Sequence, residues 1–434
     1  WCTRVGCPCS SPWGGGACLT PWASRTPDEG ATVELDLLLK GGRVLDPSRS
    51  FDAPADVGFK DGHVAAVDRD LPTEGARQVL DVAGKIVTPG LVDLHTHVYW
   101  GVTGLGIEHD PVAARSGTTT WVDAGSSGAI TFPGFRRYIV ERSLSRTLCF
   151  LNVSSHGIID AQLLGECADI RWLDTGAAIR TVEANRDVIL GIKVRSGQNS
   201  VGQSGSEPAW IAREVAEAAG VPLMLHIGRP PPALCRSLEV LRPGDILTHA
   251  FNGLPNCVIG RDGRVRREFW DLRDAGVWVD VGHGSGSFSF RTAEQALAEG
   301  FYPDSISTDL YQANLAGPVF DQVTTLSKFL ALGMSLPEVI LRATHNPARM
   351  VGREGEFGGL RPGIDQDAAV LELQHGPVCY MDSEGQAFTA SVRLVAWRTI
   401  RRGTLMEAPL AARVRANGCG ERGSEDHGRS GLGL

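Results

Sequence analysis

Short apolar runs, each closing on small or polar residues, recur through the middle of the chain: "GLVDLHTH", "TTTWVDAG", "TLCFLNVSSHG", "VILGIKVRSG", "VPLMLHIG", "DILTHAF", "VWVDVGHG" and "SISTDLY". Runs of this length, bounded by turn residues, read as strands buried on both faces. The intervals between them carry helical periodicity, as in "FPGFRRYIVERSLSR", "EPAWIAREVAEAAG" and "RTAEQALAEG". Strands alternating with helices in this number predict an α/β fold, a (β/α)8 barrel over residues 91–352. In such a barrel the C-terminal strand ends converge on one face, where active sites sit.

The flanks have a different rhythm. "VELDLLLKGGRVLDP", "ADVGFKDGHVAAVDRDL" and "RQVLDVAGKIVTPG" alternate apolar and polar positions and are punctuated by Gly-Gly, Asp-Gly and Ala-Gly, which reads as short strands joined by turns. "DAAVLELQ" and "TASVRLVAWRTIRRGTLM" repeat the pattern near the other end. Residues 31–90 and 353–410 are therefore expected to pair into one small β-sandwich domain built from both ends of the chain. Residues 1–30 hold four of the ten cysteines but lack periodicity, an apolar signal core and the spacing of a metal knuckle. They are expected to be a disordered or non-native leader, and residues 411–434 a disordered tail.

Composition narrows the field. The net charge of −8 and pI near 5.8 argue against a nucleic-acid partner. No apolar stretch approaches the ~20 residues of a membrane span. The remaining cysteines lack C-x-x-C spacing, as expected of reduced thiols in a cytoplasmic protein.

Chemistry gathers at the predicted strand ends. In "TPGLVDLHTHVYW", His95 and His97 are two residues apart on one side of a strand and can share a metal ion. Lys193 ends the fourth strand, His226 the fifth, His249 the sixth and Asp309 the eighth. Singly, each histidine reads as a satisfied polar residue and Asp309 as a helix cap. Lys193 is odder, because a buried ammonium is expensive unless paired. Six ligand-type residues at the ends of five strands form a set that chance placement does not explain.

With "PGLVDLHTH", Lys193, His226, His249 and Asp309, the chain resembles the amidohydrolase superfamily in its two-metal subtype. "ATHNPARMVG" and "GGLRPGIDQDAAVLEL" resemble the family's closing helix and its return to the sandwich. "LMLHIGRPPP" and "DILTHAFNG" carry a narrower likeness to the dihydroorotase-like amidohydrolase/deacetylase branch, associated with acetyl esters of the acetyl-mandelate type. The resemblance implies that His95, His97 and Asp309 hold the more buried of two divalent ions, and His226 and His249 the more exposed one. Lys193, carboxylated by carbon dioxide, would bridge both. It further implies attack by a metal-bridging hydroxide, with Asp309 as general base and then acid. The donor set suits zinc, with manganese and iron compatible.

The expected activity is hydrolysis of a small-molecule ester or amide, foremost the acetyl ester of an α-hydroxy acid. A cyclic amidase of the dihydroorotase or hydantoinase kind is the alternative, and a metal-free scaffold a more distant one. Expected substrate contacts are Arg195, Tyr99 and Tyr311, each two residues beyond a ligand, together with His156, His283 and Asn252 on strand-end loops. Arg195 suits a substrate carboxylate. A homo-oligomer is compatible with this fold.

Overall fold

The computed structural model describes residues 34–161 and 163–407, so the expected leader and tail lie outside the described residues. Two sheets organise the chain. The first draws on both ends: β1 (Leu37–Asp46), β2 (Phe51–Lys60), β3 (His63–Asp68), β4 (Val79–Asp81) and β5 (Ile86–Pro89) precede the second sheet. The second is made of β6 (Leu91–Thr96), β7 (Thr118–Ala124), β8 (Arg146–Asn152), β9 (Ile189–Ser196), β10 (Leu223–Ile227), β11 (Ile246–Thr248) and β12 (Trp278–Asp280). The chain then returns to the first sheet with β13 (Ala368–Met381), β14 (Ala387–Arg401) and β15 (Thr404–Leu405).

The end-built sheet runs β15-β14-β13-β5-β1-β2-β3, with β4 on β1. It is hydrogen-bonded as one sheet and curls over its own core, in which Phe59 and Val64 from one end meet Ile400 from the other. The Asp61-Gly62 turn between β2 and β3 takes positive φ at both residues, as a tight hairpin requires. The Gly-Gly pair does not form the turn read from the sequence. Gly41 and Gly42 form a bulge inside β1, where the register with β2 shifts. Gly41 has a φ of +80°, and a Cβ on Gly42 would lie 2.9 Å from Val87 Cγ2. Positive-φ glycine marks bulges as well as turns, and the pairing with β2 continues across it.

The second sheet is parallel throughout, in the order β12-β11-β10-β9-β8-β7-β6. Its strands alternate between two environments. Ile192, Val194 and Leu225 pack outward with Ala212, Val215 and Ala216 of helix Glu207–Ala219. Leu148, Phe150, Leu190, Met224 and Ile246 face inward near the strand starts, where Ala348 and Met350 of helix His345–Met350 cover them. Apolar filling thus occupies the N-terminal end of the sheet and leaves the C-terminal ends to polar groups. The eighth expected strand is not regular. The segment 305–310 makes isolated parallel bridges, Ser305 to Asp280 at the end of β12 and Leu310 to Thr96 at the end of β6. It touches both edges of the sheet, and regular pairing stops where Asp309 turns to a φ of +47°.

The long β13–β14 hairpin carries the first sheet to the C-terminal side of the second. Ser383 Oγ, at its tip, lies 3.2 Å from the His283 carbonyl oxygen and 3.0 Å from that of Gly284, and the Phe290 N–H donates to Asp382 at 3.0 Å. Among the described residues no helix is long and apolar enough to cross a membrane.

One buried histidine far from the strand-end cluster sets part of the acid stability. His109 packs on Trp121, with Nε2 2.9 Å from Thr147 Oγ1. Burial pushes its pKa down to about 4, against a weaker opposing pull from Asp110. The unfolded chain then binds the proton more tightly than the folded one, so stability is full above the unfolded pKa and is lost as pH falls towards 4. Urea midpoints for the wild type should fall more steeply between pH 7 and pH 5 than those of His109→Gln, by about 2 kcal/mol. Parallel curves would remove His109 from the acid response.

Candidate metal centre

Four strands of the parallel sheet and one irregular segment place the polar residues. His95 lies in β6 and His97 just beyond it; Lys193 lies in β9 and His226 in β10; His249 follows β11, and Asp309 sits in the segment 305–310. His95 Nε2 is 3.3 Å from Lys193 Nζ and 3.6 Å from Asp309 Oδ1, and His97 Nε2 is 3.2 Å from the same oxygen. The His249 ring lies 4.7 Å from that of His95 and 4.1 Å from that of His226, centroid to centroid. His95, His249 and Asp309 form the tightest set, each offering one donor atom within 4.8 Å of the others.

Two of these residues hold backbone conformations that side chains avoid. His249 has a φ of +72° and Asp309 of +47°. Such strain, of order 1–3 kcal/mol each, persists only where surrounding contacts enforce it. They do so here. The Asn252 amide donates to the His249 carbonyl at 2.7 Å, the Asp309 N–H donates to the His95 carbonyl at 2.7 Å, and the Asn314 amide donates to the Asp309 carbonyl at 2.9 Å. Gly282 has no side chain for a related reason. A Cβ there would lie 2.5 Å from Thr248 Oγ1 and 2.6 Å from His249 Nδ1.

Hydrogen bonds decide which ring nitrogens carry protons. Thr248 gives its single hydroxyl proton to Asp280 Oδ2 at 2.8 Å, so toward His95 Nδ1, 3.0 Å away, it accepts. Ser126, whose backbone N–H donates to Asp123 at 2.7 Å, places its hydroxyl 2.8 Å from His97 Nδ1. His249 Nδ1 faces the Gly282 carbonyl at 2.7 Å and donates to it. In the His95 and His249 rings Nε2 is left with a lone pair, the form that binds a metal.

Burial makes these groups poor cations. His95 and His226 are held well below the usual imidazole range, and His249 is lowered to about 4, in each case chiefly by desolvation. Burial also brings Lys193 down to about 7, with the Asp309 charge opposing the shift. Among the described residues, His249 Nε2 is buried and has no hydrogen-bond partner. An orphaned lone pair costs ~1–3 kcal/mol unless something accepts it. With Asp309 and a ring nitrogen of His95 beside it, it fits a divalent cation.

The expected substrate contacts separate into two groups. Arg195 lies partly exposed beside the cluster, its Nη1 3.4 Å from Glu166 Oε2. Tyr311 faces His97 with ring centroids 6.4 Å apart, and half-buried His156 packs edge-on against Trp172. The other three have polar atoms engaged by neighbouring protein groups. The Tyr99 hydroxyl donates to the Thr131 carbonyl at 2.9 Å. Asn252 secures the His249 backbone and also donates to the Asn256 carbonyl at 3.0 Å. His283 Nε2 lies 2.7 Å from Lys328 Nζ, and its Nδ1 faces the Gly284 carbonyl. Strand-end spacing gives the side on which a residue leaves, but not the partner that takes its polar atoms.

Sequence reasoning passed over Thr248, Asp280, Ser126, Asp123 and Glu166. The signal was present for two of them, since Asp123 and Asp280 are carboxylates inside apolar runs and both are fully buried.

No protein-family model matches the chain. A deacetylase of Brucella anthropi is 37% identical over 335 residues, covering 77% of this chain and 83% of that protein. A crystal structure of an adenine deaminase superposes with a TM-score of 0.80 at 30% identity, over 86% of this chain and 99% of the other. One of a dihydroorotase gives 0.79 at 33% identity, with the same coverage. Identity and coverage at this level, together with the strand-end cluster, place the chain in the amidohydrolase superfamily, as a hydrolase related to deacetylases and dihydroorotases.

Proposed function

We propose that the chain is a two-metal hydrolase that cleaves the acetyl ester of an α-hydroxy carboxylic acid, on a (β/α)8 barrel completed by the segment 305–310. The observation that carries the metal reading is the buried, unpartnered Nε2 of His249 beside Asp309 and the Nε2 of His95. His95, His97 and Asp309 are assigned to one ion and His226 and His249 to the other. Zinc suits this nitrogen and carboxylate set. When bound, such ions supply a water acidified toward neutral pH and a Lewis acid for the substrate carbonyl.

Lys193 supports the bridging role. Its amine, lowered to about 7, is substantially neutral at physiological pH and so able to add to carbon dioxide, forming a carbamate and releasing one proton. The product is an anionic oxygen ligand in place of an unpaired buried cation, which removes the cost of burying it. Asp309 takes the proton released during attack and returns it to the departing alkoxide.

Arg195 supports the acidic substrate. It is the cation beside the cluster, and one 3.4 Å contact to Glu166 leaves most of its donor fork free for a carboxylate. The acetyl group follows from the deacetylase name of the Brucella anthropi relative.

The test is a hydrolysis panel of acetyl-mandelate, its neutral methyl ester, dihydroorotate and hydantoin. The proposal expects turnover of acetyl-mandelate above the rest. Arg195→Ala should raise KM for acetyl-mandelate by about 10–100-fold, the worth of a charged hydrogen bond, and narrow the preference over the neutral ester. Turnover confined to the cyclic amides would replace this reading with a cyclic amidase. An unchanged preference in the variant would remove Arg195 from carboxylate recognition.

A further inference from the structure

We infer that Thr248 and Ser126 are positioning residues that aim the imidazoles of His95 and His97 through hydroxyls anchored on Asp280 and Asp123, making the metal position of these two histidines the tighter of the pair. The inference rests on the metal-hydrolase reading above.

The two chains are built alike. Asp280 accepts from Thr248 at 2.8 Å, from Ser307 at 2.7 Å and from Ser305, so its position is set by three hydroxyls. Asp123 accepts from the Ser126 N–H at 2.7 Å and from the Val98 N–H at 2.9 Å, which holds Ser126 with its hydroxyl 2.8 Å from His97 Nδ1. Every member of both relays, Asp280, Thr248, His95, Asp123, Ser126 and His97, is buried. Thr248 has one hydroxyl proton and commits it to Asp280, so it can only accept from the His95 imidazole. That fixes the ring's tautomer and plane, and it passes the carboxylate's negative field to the ring.

The other pair of histidines shows no carboxylate behind it among the described residues. His249 Nδ1 rests on the neutral carbonyl of Gly282. His226, more exposed, makes no ring hydrogen bond among the described residues. Partners of metal-bound histidine are typically worth 10–100-fold in affinity, so the asymmetry separates the two positions.

Zinc-loaded full-length chain is titrated with a competing chelator while protein-bound zinc is measured. The wild type should release zinc in two steps. In Thr248→Val the second, tighter step should weaken by about 10–100-fold while the first stays in place, and Thr248→Ser should restore it. If Thr248→Val does not fold, Ser126→Ala enters the same titration with the same expectation. An unchanged tight step, or equal weakening of both steps, overturns the relay assignment. A folded wild type that takes up no zinc overturns the metal-hydrolase reading itself, and the relay with it.

Discussion

The structure turns on the cost of burying Lys193 and a set of imidazoles where desolvation outweighs the charges that would compensate it. The Lys193 side chain is fully buried, with nearest partners an imidazole nitrogen and the sulfur of Met224 at 3.5 Å. An ammonium in such a place is held only by distant charge, and desolvation drives it toward neutrality. The His95 and His249 imidazoles beside it are each fixed with the Nε2 lone pair free for a ligand. A cluster of this kind is an assembled set of donors, and the surrounding contacts hold it in place.

The holding is divided among parts. Apolar side chains fill the N-terminal end of the parallel sheet, so that polar groups collect at the other end. Hydroxyls on β11 and on the segment 305–310 brace the carboxylate behind His95, and the Ser126 N–H on the loop after β7 braces the one beside His97. The hairpin of the end-built sheet reaches across to the loop after β12, where its tip contacts His283, Gly284 and Phe290, and Lys328 ties its Met381 carbonyl to the His283 ring. That loop also provides the Gly282 carbonyl on which His249 rests. The two sheets are thus coupled at the border of the site.

Much of this was legible in the sequence, for identifiable reasons. Parallel strands buried on both faces declare themselves as apolar runs, and their ends name the candidate ligands. The convergence of His95, Lys193, His249 and Asp309 follows from that position alone. What escaped was whatever depends on tertiary partners. The Tyr99 hydroxyl and the His283 ring leave on the expected side yet meet Thr131 and Lys328, residues distant in sequence. Gly41 and Gly42 read as a turn because a bulge has the same requirement for positive φ. Asp309 reads as the end of a regular strand, whereas its left-handed backbone breaks the pairing. The relay residues Asp123 and Asp280 stood out as carboxylates in apolar runs, but nothing in a single sequence couples them to particular hydroxyls.

The central claim is that this cluster exists to hold two ions bridged through Lys193. Elemental analysis of the chain produced with zinc and bicarbonate tests it most directly, alongside Lys193→Ala. The account predicts about two zinc per chain in the wild type and a clear loss in the variant. A well-folded wild type without bound metal, or a variant that keeps both ions, would contradict it.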